Sequence, residues 1–117
     1  MSDSWLRLQG IHFDAILGCH PAERTTPRPV EVDLSVRLDI TPAAQSDSLS
    51  DTLDTETLEA LVLETAQSGK YNIIETLAHT IATRVLALPP VQAVHVTVHK
   101  PASLPHTRTV TLDLTLP

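Results

Sequence analysis

Aromatic residues and cysteine are both scarce in this chain of 117 residues. Aromatic side chains make up only 3% of the sequence, so the core must be aliphatic. The same scarcity leaves no stacking platform for the bases of single-stranded nucleic acid. The one cysteine, Cys19, excludes an intrachain disulfide and a zinc site built from cysteines.

Positive charge and long apolar runs are scarce as well. The net charge of −6 at pH 7 argues against nucleic acid or an anionic membrane surface as a partner. No apolar run is long enough to span a bilayer, and the first ten residues lack a signal-peptide pattern. We therefore expect one cytoplasmic domain over residues 1–117, of a size that is often helped by self-association.

Alternating apolar and polar residues predict four β-strands. In the first strand, the alternation of apolar and polar residues changes phase at Gly10, which predicts a β-bulge there. Long loops are expected over residues 18–29 and 100–107. The predicted strands are Trp5–Gly18, Val30–Ile40, Val91–His99 and Arg108–Leu116.

Two helices are predicted between the second and third strands. The first covers about Thr55–Gln67, and the second covers Tyr71–Leu88, with Asn72 as its N-cap and Pro89-Pro90 as its stop. The order ββααββ favours an α+β domain, in which a four-stranded antiparallel sheet carries two helices on one face.

Glu75 lies in the first turn of the second helix, beside its apolar stripe. A carboxylate there can reach back to the free amides of the helix start, as in a capping box. It can equally point into a pocket and accept hydrogen bonds from a ligand. Both interpretations stay open on spacing alone.

Lys100 and Glu23 are two further candidates. Lys100 continues the core-facing row of the third strand, so its ammonium is expected to be partly removed from water, which suits proton transfer. It can also be a strand-end lysine whose head reaches solvent. Glu23 lies in a proline-bounded loop beside Arg24, where a weak surface ion pair is the simpler interpretation.

Six histidines raise the question of a metal. His95 and His99 share the polar face of one strand, but the sequence has no H-x-H pair and no H-E-x-x-H motif. Motifs for a nucleophilic serine, a P-loop or a dinucleotide are absent too. We therefore expect no metal site and no cofactor.

Three fragments in this order resemble the dihydroneopterin aldolase family of folate biosynthesis. They are GIHFDAILGCHPAERTTPRPVEVDLSV, YNIIETLAHTIATRV and VHVTVHKPASLP. The resemblance extends from about Trp5 to Leu116 and agrees with the ββααββ order. It implies the tunnelling fold, a homotetramer or homo-octamer with active sites between subunits, and no metal or Schiff base.

The resemblance also implies roles for individual residues. Lys100 matches the catalytic lysine that transfers protons through a bound water, and Glu23 matches the loop glutamate near that lysine and the substrate side chain. Glu75 matches the glutamate that anchors the pterin, with the backbone of Ile74 beside it. Thr55 stands where the family has a tyrosine that contacts the substrate across the subunit interface.

These matches predict retro-aldol cleavage of dihydroneopterin to a hydroxymethyl-dihydropterin and glycolaldehyde. The reaction is expected to be slow or altered, because the Thr55 hydroxyl is shorter and far less acidic than a phenol. Two alternatives stay open: an epimerase acting on dihydroneopterin or its triphosphate, and a pterin- or purine-binding protein without turnover.

Overall fold

The computed structural model describes residues 2–117, which form five strands and four α-helices. The strands are β1 (Ser4–Leu17), β2 (Arg28–Leu38), β3 (Lys70–Tyr71), β4 (Ala93–Leu104) and β5 (Thr107–Leu116). The helices are α1 (Pro21–Thr25), α2 (Thr41–Ser46), α3 (Thr55–Ser68) and α4 (Ile74–Leu86), with a short 3₁₀ turn at Leu49–Asp51.

The strands form one sheet in the order β3-β1-β2-β4-β5. The β1–β2, β2–β4 and β4–β5 pairs are antiparallel, whereas β3 runs parallel to the end of β1. The α+β class is therefore confirmed, but the prediction of four strands and two helices is wrong. The missed elements have two to six residues, which is too short for an apolar period to be visible.

The predicted bulge in β1 is confirmed. The pairing register of β1 with β2 shifts between Leu8 and Ile11, and Gly10 has φ of 77°. Glycine adopts this left-handed conformation without the steric cost that a Cβ would bring. The bulge turns the apolar residues of both halves of β1 toward the same side of the sheet.

The core lies between this sheet and the helices α3 and α4, and it is aliphatic apart from Phe13. Valines and leucines of β2 and β4 face helix residues such as Leu58, Leu77 and Ile81, which are also fully buried. Burying such side chains supplies most of the stability of a domain this small. The described strand residues with no exposed surface are Val32, Leu34, Val36, Val94, Val96 and Val98.

Several predicted boundaries are wrong: the predicted loop over residues 18–29 contains α1 and the start of β2. Two other wrong boundaries lie near the candidate residues Glu75 and Lys100. The N-cap of α4 is Ile73 and not Asn72, and it makes no side-chain capping bond. The segment expected to be a loop over residues 100–107 belongs mostly to a hairpin, because β4 continues to Leu104 and β5 begins at Thr107. A register shift between Pro101 and Leu104 hid this continuation from the alternation pattern.

None of the helices within residues 2–117 has the length and apolar character needed to cross a membrane.

Candidate active site

The carboxyl group of Glu23 is buried although it lies on the five-residue helix α1. Only 4% of the residue is exposed. Its Oε1 accepts a hydrogen bond from the backbone N–H of His20 at 3.2 Å. Its Oε2 lies 3.5 Å from Nζ of Lys100 and 3.3 Å from Oγ of Ser103. The expectation of a surface ion pair with Arg24 is therefore wrong, and Lys100 is the partner of Glu23.

These contacts decide the charge of Glu23. Burial alone would raise the pKa of its carboxyl group. The N–H of His20, the charge and hydrogen bond of Lys100 and the Ser103 hydroxyl together hold the pKa below its usual value of 4.5. At neutral pH the site thus contains a carboxylate that is paired with an ammonium and largely shielded from water.

Gly18 makes room for this carboxylate. It has φ of 141°, and a Cβ at this position would lie 2.2–2.4 Å from the carboxyl atoms of Glu23. No side chain fits at such distances. Position 18 must therefore be a glycine if the Glu23 carboxylate is to stay where it is.

Arg24 joins α1 to the segment that precedes α4. Its Nη1 donates to the carbonyl of Gly18 at 3.1 Å and to that of Tyr71 at 3.0 Å, and its Nη2 donates to the carbonyl of Lys70 at 3.0 Å. Gly18 adds a backbone hydrogen bond from its N–H to the Tyr71 carbonyl at 3.0 Å. These bonds hold the start of α4 beside Glu23.

Lys100 reaches the site from β4. Its side chain is 18% exposed, so it is neither a solvated surface group nor fully enclosed. In register it is opposite Val110 of β5, on the side of the sheet that carries Val96 and Val98. The sequence-based expectation of a partly desolvated lysine agrees with this placement.

Glu23, Ile74, Glu75 and Lys100 line one cleft of about 280 Å³. Ile73 and Leu104 also line it, and they are 46% and 55% exposed, which is high for large apolar side chains. Cys19, His20, Asn72, Ser103 and Val110 complete the wall. The cleft therefore combines apolar surfaces with one paired and one unpaired carboxylate.

Glu75 is exposed on the second position of α4 and faces this cleft. A carboxylate there interacts favourably with the helix dipole. Within residues 2–117 it accepts no hydrogen bond, and the capping-box interpretation is not supported. Its oxygens are free to accept hydrogen bonds from a ligand.

The structure does not bring Thr55 to this cleft. Thr55 is the exposed first residue of α3, behind the N-cap Asp54, and it is not among the residues of the cleft wall. Any contact between Thr55 and a ligand in such a cleft would need a second copy of the chain. The roles assigned to Thr55 and to the four cleft residues stay predictions.

Ser103, Gly18 and Arg24 were missed by sequence reasoning. Ser103 lies in the irregular part of β4, between Pro101 and Leu104, where alternation no longer tells which side a residue faces. Gly18 leaves space for a buried carboxylate, and Arg24 donates to backbone carbonyls that are distant in sequence. Neither contact produces a recognisable pattern in the local sequence. The only available signal was the short Gly18–Arg24 segment itself, between a strand and a proline-rich loop.

A carboxylate–lysine pair beside an open carboxylate is an arrangement that favours acid–base chemistry on a small molecule. Comparison with known proteins gives the family. Residues 6–115 match the family model for dihydroneopterin aldolase (FolB), and the chain belongs to this family.

Three similar proteins illustrate the match. A Synechocystis protein named "Probable dihydroneopterin aldolase" is 35% identical over 95 residues, which are 81% of this chain and 80% of that protein. The Escherichia coli dihydroneopterin aldolase, solved in complex with neopterin, superimposes with a TM-score of 0.90 at 18% identity, covering 97% of this chain and 99% of that one. The Burkholderia enzyme bound to guanine gives 0.80 at 23% identity, covering 97% and 90%. At these identities, the two structures support the fold alone.

We predict that Gly18→Ala destabilises the protein far more than Gly10→Ala. Both glycines have positive φ, but the Cβ of an alanine at position 10 would meet nothing within 4 Å. Gly10→Ala should therefore lower the free energy of unfolding by only about 1 kcal/mol, which is the cost of placing an alanine backbone at positive φ. Gly18→Ala must also displace the buried carboxylate from Lys100, at a total cost of roughly 3–5 kcal/mol.

Urea denaturation measures both costs, and a double-mutant cycle with Glu23→Ala isolates their cause. The cost of Gly18→Ala should fall toward that of Gly10→Ala once the Glu23 carboxylate is removed. An equal cost with and without Glu23 would contradict the proposed contact.

A second prediction concerns the pH dependence of stability. Because the native pKa of Glu23 is lowered, its contribution is fully present above about pH 4.5 and is lost as the pH falls through the native value. Glu23→Gln should therefore lower the free energy of unfolding by roughly 1–3 kcal/mol at neutral pH. The difference from wild type should shrink steadily as the pH falls from 4.5 through the lowered native pKa of Glu23.

Glu64→Gln is the matched control, because Glu64 is exposed on α3 and lies outside the cleft. Its denaturation curves should follow the wild type at every pH. A Glu23→Gln difference that is constant with pH would show that the carboxylate charge is not what stabilises this site.

Proposed function

We propose that this protein is a lyase of folate biosynthesis that cleaves dihydroneopterin to hydroxymethyl-dihydropterin and glycolaldehyde. The observation that supports this most directly is the Glu23–Lys100 pair in the same cleft as the free carboxylate of Glu75. Family membership supplies the reaction class. The cleft supplies a place for a flat heterocycle and groups for proton transfer.

The heterocycle is proposed to bind at the start of α4. Neopterin and guanine, the molecules held by the two structural relatives, share an edge with an amino group next to a ring N–H. A carboxylate such as Glu75 accepts two parallel hydrogen bonds from that edge. The backbone N–H of Ile74, at the first turn of the helix, has no partner within the helix and is free to donate to the ligand.

Ile73 and Leu104 are proposed to cover the ring. Both line the cleft with about half of their surface exposed, so a bound heterocycle would remove apolar area from water. Burying a ring between them offsets part of the entropy lost when the ligand is held.

Lys100 is proposed to act as the acid–base group, through a bound water. The base takes the proton of the side-chain hydroxyl, the adjacent C–C bond breaks, and the hydroxyl carbon becomes the aldehyde of glycolaldehyde. The electron pair passes into the dihydropterin ring, and the carbon that remains on the ring then receives a proton. Because the ring itself accepts the electrons, this reaction requires no metal and no cofactor.

Glu23 is proposed to position Lys100 and to compensate its charge as protons move. The carboxylate is fixed by His20 and Ser103, so the ammonium it faces has a defined location. An ion pair in a site shielded from water acts more strongly than one on the surface. The substrate side chain would lie beside these two groups.

The active form is proposed to be a homotetramer or homo-octamer in the cytoplasm. The strands β1 and β5 flank the antiparallel part of the sheet, and β5 carries half-buried Val110, Leu112, Leu114 and Leu116 on one side. Such strands favour pairing with another copy. A neighbouring subunit would bring Thr55 to the cleft, where its short hydroxyl is a weak proton donor and slow turnover is expected.

We predict that Lys100→Ala abolishes the release of glycolaldehyde from dihydroneopterin. The expected loss is at least about 100-fold in kcat, typical for removal of a general acid–base group. Lys70→Ala is the matched control, because Lys70 is the only other lysine and its side chain is exposed outside the cleft. Glycolaldehyde and the pterin product are both measured over time by chromatography.

Three outcomes separate the candidate functions. Glycolaldehyde release that depends on Lys100 supports the lyase. Formation of an epimerised pterin without glycolaldehyde would support the epimerase instead of the lyase. Tight binding of a pterin without any product would support a binding protein without turnover. Undiminished release by Lys100→Ala would remove Lys100 from the mechanism.

We also predict that Glu75→Gln weakens the binding of neopterin and guanine by roughly 10- to 100-fold. The substitution keeps the shape of the side chain but removes its charge and one of its two acceptors. Calorimetric titration compares it with Glu64→Gln, for which the dissociation constants should not change. If Glu75→Gln binds both ligands as tightly as wild type, the ligand edge is held elsewhere.

A further inference from the structure

We propose that the polar side of the sheet carries a second site, which binds a divalent transition-metal ion of the Zn²⁺ class through Glu31, Asp33 and His99. One donor atom from each of these side chains lies within 4.8 Å of the other two. This site does not depend on the proposed reaction, although Lys100 also lines the cavity next to it. It also departs from the expectation drawn from the sequence that the protein has no metal site.

Strand pairing creates the cluster. Glu31 of β2 is the direct partner of His99 on β4, and Asp33 is two residues further along β2 on the same side of the sheet. Side chains of directly opposite residues and of diagonal neighbours can touch across a sheet. Three potential ligands therefore converge on one point from two adjacent strands.

The donor atoms are oriented by a surrounding shell of hydrogen bonds. Oδ1 of Asp33 accepts the N–H of Gly10 at 2.8 Å, and Nδ1 of His99 lies 3.2 Å from Oγ1 of Thr111. The other atoms of these two side chains, Oδ2 and Nε2, face each other at 2.9 Å. Metal-ligating side chains characteristically have their outer atoms fixed in this way.

His12 lies next to this cluster but is not one of its three donors. It is the partner of Glu31 on β1, opposite to His99, and it lines a cavity of about 430 Å³ together with Glu31 and His99. Its Nδ1 lies 3.0 Å from the Gly10 carbonyl. Because a carbonyl can only accept, Nδ1 is the donor in this contact, and Nε2 is the ring nitrogen that is not used in it.

The donor set favours a borderline metal ion. Imidazole nitrogen combined with carboxylate oxygen suits Zn²⁺ and its neighbours in the first transition row, whereas Mg²⁺ prefers sites made of oxygen alone. Two carboxylates balance the charge of a divalent ion.

The alternative is that His99 and Asp33 form an ion pair and nothing more. The same sheet face contains a natural comparison, since Nε2 of His95 lies 3.0 Å from Oδ1 of Asp113. That pair is surrounded by the hydroxyls of Thr97 and Thr115, and no second carboxylate is grouped with it among the described residues. Only the His99 pair has Glu31 beside it, so the two pairs are predicted to differ in metal binding.

The untagged protein of 117 residues, treated with EDTA and dialysed, is titrated with Zn²⁺ by calorimetry and with Co²⁺ by visible absorption. We expect one ion per chain and no comparable binding of Mg²⁺. Asp33→Asn and His99→Gln should each weaken Zn²⁺ binding at least about tenfold. His95→Gln, the matched control, should bind as the wild type does.

Glu31→Gln keeps the test decisive if a variant of the pair fails to fold. Glu31 is exposed, and its substitution leaves the His99–Asp33 hydrogen bond in place. It should retain the thermal stability of the metal-free protein but lose most of the rise in melting temperature that Zn²⁺ gives the wild type. Failure of the wild type to bind one Zn²⁺ per chain, or equal weakening by His95→Gln, would overturn the proposal.

Discussion

The contact on which this site depends is the buried pairing of the Glu23 carboxylate with the Lys100 ammonium. A carboxylate that is only 4% exposed is costly unless charges and hydrogen bonds replace the water it has lost. Lys100, Ser103 and the N–H of His20 do so here, and Gly18 leaves the space. The same pairing joins α1 to β4 across 77 positions of sequence, and it thereby defines one wall of the cleft.

A second constraint is the alternation of β4, which assigns neighbouring residues to opposite sides of the sheet. Lys100 follows the buried valines toward the cleft and Glu23, whereas His99 faces the polar side and pairs with Asp33. Adjacent residues thus belong to two separate clusters of ionisable groups. A one-residue shift in the register of β4 would exchange them, so the buried valine row that fixes the register also fixes both clusters.

The sequence predicts what depends on long periodic patterns. The four long strands, the two long helices and the bulge at Gly10 all follow from alternation or helical spacing over eight or more residues. The placement of Lys100 on the core side follows from the same rule. Prediction from periodic patterns fails where a few residues or distant partners decide the structure. Helix α1 has only five residues, and the burial of Glu23 depends on Lys100, which lies far along the chain. The grouping of Glu31 with His99 could not be predicted either, because it requires the exact pairing of β2 with β4.

The cleft of one protomer is open in a way that bears on how the protein works. Ile73 and Leu104 expose about half of their surface at its edge, and Thr55 lies elsewhere on the same chain. Exposed apolar walls beside a free carboxylate are expected where a flat ligand, or a flat ligand together with a neighbouring subunit, completes the enclosure. Enclosure would strengthen the Glu23–Lys100 interaction by excluding water from it. The ligand binding proposed for Glu75 and the proton transfer proposed for Lys100 would then be linked through the solvent that both exclude.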